Sequence, residues 1–289
     1  MKRAAFLCVV VLLLTPFLQA QSPEQKTATL AFVEKQQNKD GGFSAVPGQP
    51  SSLRATNAVV RIYKYFGGDL PNKDACAKFV ESCFDKSSGG FADAPGGKPD
   101  VATTAVGLMT VVGLGLSRDP YEKAALKYLD ENVKTFDDIR IAVAGLEAVE
   151  KKSPQAQAWI ATVKKTANAD GTYGKSAAIA RDTGSAVVAL LRMGAEVPNK
   201  DAVLKAMNAG QLSDGGFGQI DAKRSDLESC YRVVRCYHML KSKPDADKMA
   251  AFVASCRNAD GGYGVVAGAK STISATYYAA IISHWLSEK

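Results

Sequence analysis

The 289-residue sequence contains two histidines, His238 and His284. It has no G-x-x-x-x-G-K-[ST] loop, G-x-S-x-G elbow, H-E-x-x-H pair or C-x-x-C pair. The phosphate-cradle, serine-hydrolase, zincin and dithiol chemistries that those motifs carry are therefore excluded. No run of Lys or Arg is long enough to form a nucleic-acid patch: the 36 basic and 29 acidic residues are interspersed, leaving a mild net charge of +7. That excludes nucleic acid as the expected partner. With 46% hydrophobic and 22% charged residues, the composition is that of a globular chain, not a disordered one.

Long apolar runs are also scarce. The run Ala4–Leu14 follows Lys2 and Arg3 and is broken by Thr15 and Pro16, with Ala20 at the end of Leu18-Gln19-Ala20. This basic start, short apolar core and small residue predict a secretory signal peptide over 1–20 and a secreted or periplasmic mature chain, residues 21–289. The run is short of the roughly 20 residues a span needs, so no transmembrane segment is expected after cleavage. Export permits disulfides. Five cysteines remain, Cys76, Cys83, Cys230, Cys236 and Cys256, an odd number. On helices, the separations Cys76–Cys83 and Cys230–Cys236 are too long for one bridge, and buried free thiols are the expected state.

What is abundant is a repeated loop: Asp40-Gly-Gly-Phe43, Ser88-Gly-Gly-Phe91, Asp170-Gly-Thr-Tyr173, Asp214-Gly-Gly-Phe217 and Asp260-Gly-Gly-Tyr263. Each follows an amphipathic stretch and precedes one that is apolar nearly all round. Aligning the apolar stretches on Ala58, Ala105, Ala142, Ala186, Tyr231 and Tyr277 gives six units spaced 37 to 47 residues apart. The third unit is short, because Phe136-Asp137-Asp138 enters its helix without a Gly-Gly loop. Each unit reads as helix, loop, helix. The first helices, such as Lys73–Phe84 and Asp245–Arg257, carry Lys and Glu on one face and belong outside. Pro120, Pro154 and Pro198 stand at or just before first-helix starts. The second helices, such as Val101–Leu116 and Thr183–Met193, must be buried on both sides. Neither terminal unit looks like the polar cap that an open array needs. The expectation is an all-α fold, an α/α toroid of six hairpins with inner and outer helical rings.

These repeats resemble those of the protein prenyltransferase β subunits and the squalene-cyclase group, with the Rab geranylgeranyltransferase β subunit the closest likeness. The resemblance covers the whole mature chain. It implies a funnel-shaped central cavity, inner-helix N-termini around its mouth, an aromatic wall, a prenyl diphosphate and a thiol-activating Zn²⁺. Taken residue by residue, the transferase machinery looks eroded. Aligning on Cys230-Tyr231 places Glu228 and Cys230 at the family's Asp-x-Cys zinc positions. Counting from Gly215-Gly216 places Asp226 there instead and leaves no Cys. The zinc His falls near Ser274, and both histidines lie further down their helices. Asp182-Thr183-Gly184 stands at the family's diphosphate His-Ala-Gly. Lys223 matches the family's Lys, Ile220 stands at its Arg, and Arg224 or Arg181 could partly compensate.

The cyclases' acid corresponds at best to Asp137-Asp138, which reads as a helix cap, as do Asp100, Asp182 and Asp226. The expected site is the cavity mouth, with Asp182, Lys223, Arg224, Asp226, Glu228, Cys230, Tyr231, Ser274 and Tyr277 as binding candidates. Tyr63, Tyr231, Tyr237, Tyr277 and Tyr278 recur on the second helices; some are expected to face the cavity and the rest to pack against outer helices. The expected function is binding of an apolar or isoprenoid small molecule, or a peptide, with no catalytic residue assigned and no cofactor expected. The alternatives are a zinc-dependent prenyltransferase with an aberrant site and a toroid carbohydrate-active enzyme using Asp182, Asp226 and Glu228. An interaction module with a partner on the outer helices is a further class.

Overall fold

The computed structural model describes residues 21–197, 199–220 and 223–288. The expected signal peptide, 1–20, and Pro198 lie outside the described residues. Twelve α-helices are described, in six pairs: α1 Pro23–Glu34 and α2 Leu53–Phe66; α3 Lys73–Ser82 and α4 Val101–Leu114; α5 Glu122–Asn132 and α6 Phe136–Ala148; α7 Ala156–Lys164 and α8 Ile179–Arg192; α9 Lys200–Ala209 and α10 Leu227–Met239; α11 Ala246–Ser255 and α12 Ile273–Ser287. One short antiparallel ladder, β1 Phe43–Ser44 with β2 Ser51–Ser52, sits in the first loop.

The even-numbered helices form the inner ring. Each packs on the next, and α12 packs on α2, so the ring closes. Closure is also written in hydrogen bonds. The amide of Ile273, at the start of the last inner helix, donates to the Ala45 carbonyl of the first loop at 3.0 Å. Leu53 and Leu227 make the same bond to the loop of their following repeat, at Asp93 and Val265. In the outer layer, Thr29 of α1 donates to the Gly261 carbonyl at 2.8 Å. The inner helix α4 is apolar all round because it is covered on both sides: Val101, Leu108, Val111 and Leu114 are all buried.

The loops recur for a physical reason. Asp40, Asp214 and Asp260 each accept the amide two residues on and a Ser hydroxyl eleven residues on, from Ser51, Ser225 and Ser271. The glycine after the aspartate has positive φ, +85° at Gly41 and +90° at Gly261. That conformation favours a residue without Cβ. A Cβ would also lie 2.3 Å from the carbonyl of Ala75 or Ala28, on the outer helix of the next repeat. The aromatic amide that follows is then held by a hydroxyl near the start of the inner helix: Phe43 donates to Thr56, Phe91 to Thr104, Tyr173 to Thr183 and Tyr263 to Thr276. Repeat three has no such loop, and its inner helix is capped by Thr135 instead. All five described cysteines are buried free thiols.

Candidate functional site

At the N-terminal ends of the inner helices, the acidic residues act as caps or ion-pair partners. Asp100 and Asp226 are N-caps, accepting from the Thr103 and Ser229 amides. Two expected caps are not. The α8 helix starts at Ile179, so Asp182 lies inside its first turn, 3.4 Å from Arg181. In α6 the cap is Thr135, and Asp138 completes a capping box with it. Burial works against ionisation of Asp138, but bonds from the Thr135 and Lys134 amides outweigh it and hold the carboxyl below its ordinary range. A group held ionised in this way is not a cyclase-type proton donor. Glu228 is tied to Arg232 and lies 3.7 Å from Arg181. Asp182, Asp226 and Glu228 are thus each engaged with a cap or a guanidinium, not paired as carboxylates. Lys223, Arg224 and Ser274 are exposed, and none makes an ion pair among the described residues.

Cys230 is fully buried, and its Sγ receives the Phe217 amide at 3.2 Å. It stands where the other looped repeats place a threonine, and burial pushes its thiol well up. Ser274, at the aligned His position, offers no imidazole. His238 and His284 lie near the C-terminal ends of α10 and α12, each 3.0 Å from Glu288. Among the described residues, no group of three or more His, Cys, Asp or Glu side chains is placed to hold a metal ion. A catalytic zinc takes about three protein ligands. The donor set around Cys230 does not fit that ion, and no step is derived through it.

Deeper in the channel a different constellation appears. Tyr277 donates from its hydroxyl to that of Tyr231 at 3.2 Å, and the Tyr231, Tyr277 and Tyr278 rings pack with centroids 4.9–5.6 Å apart. Arg235 lies 5.0 Å from the Tyr231 ring and 4.8 Å from that of Trp285, and Arg61 lies 5.2 Å from Tyr277. These are cation–π distances. Tyr237, by contrast, is buried facing outward, hydrogen-bonded to Asn208 of α9.

The charges shift one another. Burial resists ionisation of Tyr231, but Arg235, Arg61, the Tyr277 hydroxyl and Arg192 prevail, bringing it down to about 7. Its partner Tyr277 goes well up, through burial and the neighbouring Tyr231 charge. Arg192, whose side chain is 7% exposed, is drawn down to about 10 by burial and then by Arg235, against the pull of Glu147 at 2.9 Å. Arg140 is lowered by burial and by Arg232.

The channel widens into a cavity of about 850 Å³ lined by Arg61, Met109, Val112, Arg192, Arg235 and Trp285 among others. Gly68, Leu70, Glu150 and Met239 also line it, all at or beyond inner-helix C-termini. This cavity therefore opens among the C-terminal ends of the inner helices, whereas the expected site lies among their N-termini. Of the nine expected binding candidates, Tyr231 lines the inner part of this channel and Tyr277 supports it. Asp182, Lys223, Arg224, Asp226, Glu228, Cys230 and Ser274 line neither the cavity nor its inner part. The physical reason is that Asp182, Asp226, Glu228 and Cys230 are engaged in ion pairs, a cap and a latch near inner-helix N-termini, while Lys223, Arg224 and Ser274 are exposed there. The wall is also less apolar than expected: Arg61, Arg140, Arg192, Arg232 and Arg235 line its inner part. One signal in the sequence could have revealed two of them, Arg232 and Arg235. Glu228, Tyr231, Arg232 and Arg235 follow i, i+3, i+4, i+7 spacing on an otherwise buried helix, which puts them on one face. Among the described residues, no helix is long and apolar enough to cross a membrane.

No curated protein sequence matches the chain. Solved structures do. Protein geranylgeranyltransferase-I from Candida albicans, complexed with GGPP, superposes with a TM-score of 0.68 over 89% of this chain and 90% of its own, at 10% identity. A type II terpene cyclase from Scytonema, in complex with geranylgeranyl dihydroxybenzoate, gives 0.61 over 91% and 95%, at 12% identity. A glycosidase in complex with glucose gives 0.60 over 91% and 95%, at 13% identity. At such identities the likeness is one of fold. The sequence pattern of the prenyltransferase alpha-alpha toroid domain matches residues 3–72, 58–140 and 121–288, and the chain belongs to that family.

Proposed function

We propose that this toroid is an exported binding protein whose central cavity takes a small amphiphilic ligand, an isoprenoid or a peptide, and that its zinc-transferase site is eroded. The observation that carries the reading is the cavity itself. Its volume of about 850 Å³ falls in the range of small-molecule sites. Val112, 36% exposed, turns an apolar surface into it beside Met109, Met239 and Trp285. Two structural neighbours hold geranylgeranyl compounds in equivalent folds, which supports an isoprenoid tail in this one. The engagement of Cys230 in a repeat latch and the absence of an imidazole at Ser274 weigh against thiol activation by zinc. The Ala4–Leu14 run ahead of Ala20 supports export.

The test is thermal unfolding of residues 21–289 with geranylgeraniol and with a short apolar peptide. A ligand bound to the native state raises Tm by mass action. The expected result is a concentration-dependent rise that Val112→Asp abolishes. Flat melting curves with both probes would sink the proposal.

A further inference from the structure

Five arginines, Arg61, Arg140, Arg192, Arg232 and Arg235, converge from α2, α6, α8 and α10 on an inner chamber of about 60 Å³. No carboxylate side chain lines it; the one ionisable acid in its wall is the Tyr231 phenol. Three of the five have a carboxylate elsewhere: Arg140 with Asp137, Arg192 with Glu147 and Arg232 with Glu228. Arg61 and Arg235 make no ion pair among the described residues. Arg61 reaches only the Tyr65 hydroxyl at 3.4 Å and the Met109 sulfur at 3.5 Å, both weak acceptors. The Nε and Nη2 of Arg235 are buried and have no acceptor at all. Its guanidinium is instead held by the faces of Tyr231 and Trp285.

A buried, charged donor without an acceptor is costly, and burying several cations together is more so. Retaining that cost is the mark of a site built for a charge that arrives from outside. A guanidinium fork meets carboxylate and phosphate oxygens with two parallel N–H bonds. A water-sized group needs about 10–15 Å³, so the chamber has room for a head group of a few heavy atoms. Arg61, Met109 and Arg235 line both the chamber and the larger cavity, so a head in one continues into a body in the other.

We infer that the chamber binds the oxyanion head, carboxylate or phosphoryl, of a ligand whose body lies in the larger cavity, with Arg61 and Arg235 as its principal donors. This rests on the central cavity being the binding site, as proposed above.

The experiment is thermal unfolding of residues 21–289 at fixed ionic strength, with sodium chloride as the baseline. The probes are sodium benzoate, inorganic phosphate, pyrophosphate and the neutral geranylgeraniol. A saturable rise in Tm beyond chloride is expected with benzoate or phosphate, and the larger rise identifies the head group. Arg61→Gln and Arg235→Gln should each weaken that effect about ten-fold or more. Below about pH 7, where the Tyr231 phenol keeps its proton, Arg235→Met should unfold at a higher temperature than the parent without anion, since it removes a buried charge with no anionic partner, and should lose the anion response. No anion response beyond chloride, or a response unchanged in the Arg61→Gln/Arg235→Gln double variant, would overturn the inference. If geranylgeraniol raises Tm while every anion fails, the cavity reading stands and the oxyanion site falls. If all four probes fail, both fall.

Discussion

The Sγ of Cys230 receives the Phe217 amide at 3.2 Å, the same bond that the Thr276 hydroxyl receives from Tyr263 at 3.1 Å. A residue that stands at a zinc position in the sequence is therefore the latch of its repeat. Cys230→Thr should restore the hydroxyl latch of the other looped repeats and leave Tm unchanged or slightly raised. Cys230→Ala removes the acceptor and leaves a small void, costing about 1–3 kcal/mol, which urea titration would read. Neither the parent nor Ser274→His should hold stoichiometric zinc by elemental analysis. Stoichiometric metal lost on Cys230→Ala would reverse the assignment.

The loop glycines give a second expectation. At Gly261 φ is +90°, and a Cβ would sit 2.3 Å from the Ala28 carbonyl oxygen, across the seam where the last repeat meets the first. Gly261→Ala should therefore destabilise by more than the roughly 1 kcal/mol of a left-handed alanine alone, because α1 must also move. Gly268, also at positive φ but with open space around it, is the control. Gly268→Ala should cost only the backbone term. Equal losses at both positions would mean that the seam is loose.

The toroid was legible because its causes are local and repeated. Asp-Gly-Gly-aromatic loops have one low-energy way to turn, and helices apolar all round must be covered on both sides. The site was less legible. The inner helices carry their acids mainly at their N-termini, which points to Asp182, Asp226 and Glu228, yet those groups are used up in caps and ion pairs. Arg61, Arg192 and Arg235 are far apart in the chain. What joins them is ring closure, which brings α2 and α8 around α10 and α12 and is visible only in three dimensions.

Glu147 and Arg192 form the one carboxylate pair within the cavity lining that holds a nearly buried guanidinium, at 2.9 Å. Glu147→Gln removes the negative partner while keeping the shape. Because Glu147 itself is half-exposed, solvent screening limits the loss to about 1–2 kcal/mol. The same change leaves a third cavity arginine without a counter-charge. It should lower Tm in chloride and enlarge the stabilisation by added anion. A lower Tm with no gain in anion response would detach Arg192 from the oxyanion site.

Tyr231 gives the pH dependence. Its phenol is lowered to about 7 in the folded chain, against about 10 in an unfolded one. Between those values the unfolded state holds the extra proton, so stability rises with pH across that window and the contribution is lost as pH falls through about 7. Tyr277 has the opposite sign. Raised in the fold, it keeps its proton where the unfolded phenol loses its own, so stability falls above about pH 10. The groups facing Tyr231 are Arg235 on its own helix, Arg61 of α2, Arg192 of α8, and Tyr277 and Tyr278 of α12. An ultraviolet difference titration should find one phenol ionising near neutrality and none there in Tyr231→Phe. The same variant should flatten the rise in Tm between neutral and mildly alkaline pH. A bound oxyanion would sit against the phenolate, so binding must favour the protonated phenol and take up a proton. Benzoate or phosphate should therefore bind more tightly as pH falls through about 7, and this dependence should vanish in Tyr231→Phe while affinity at low pH persists. Anion affinity that keeps its full pH dependence in Tyr231→Phe would place the proton on the anion itself and remove Tyr231 from the linkage.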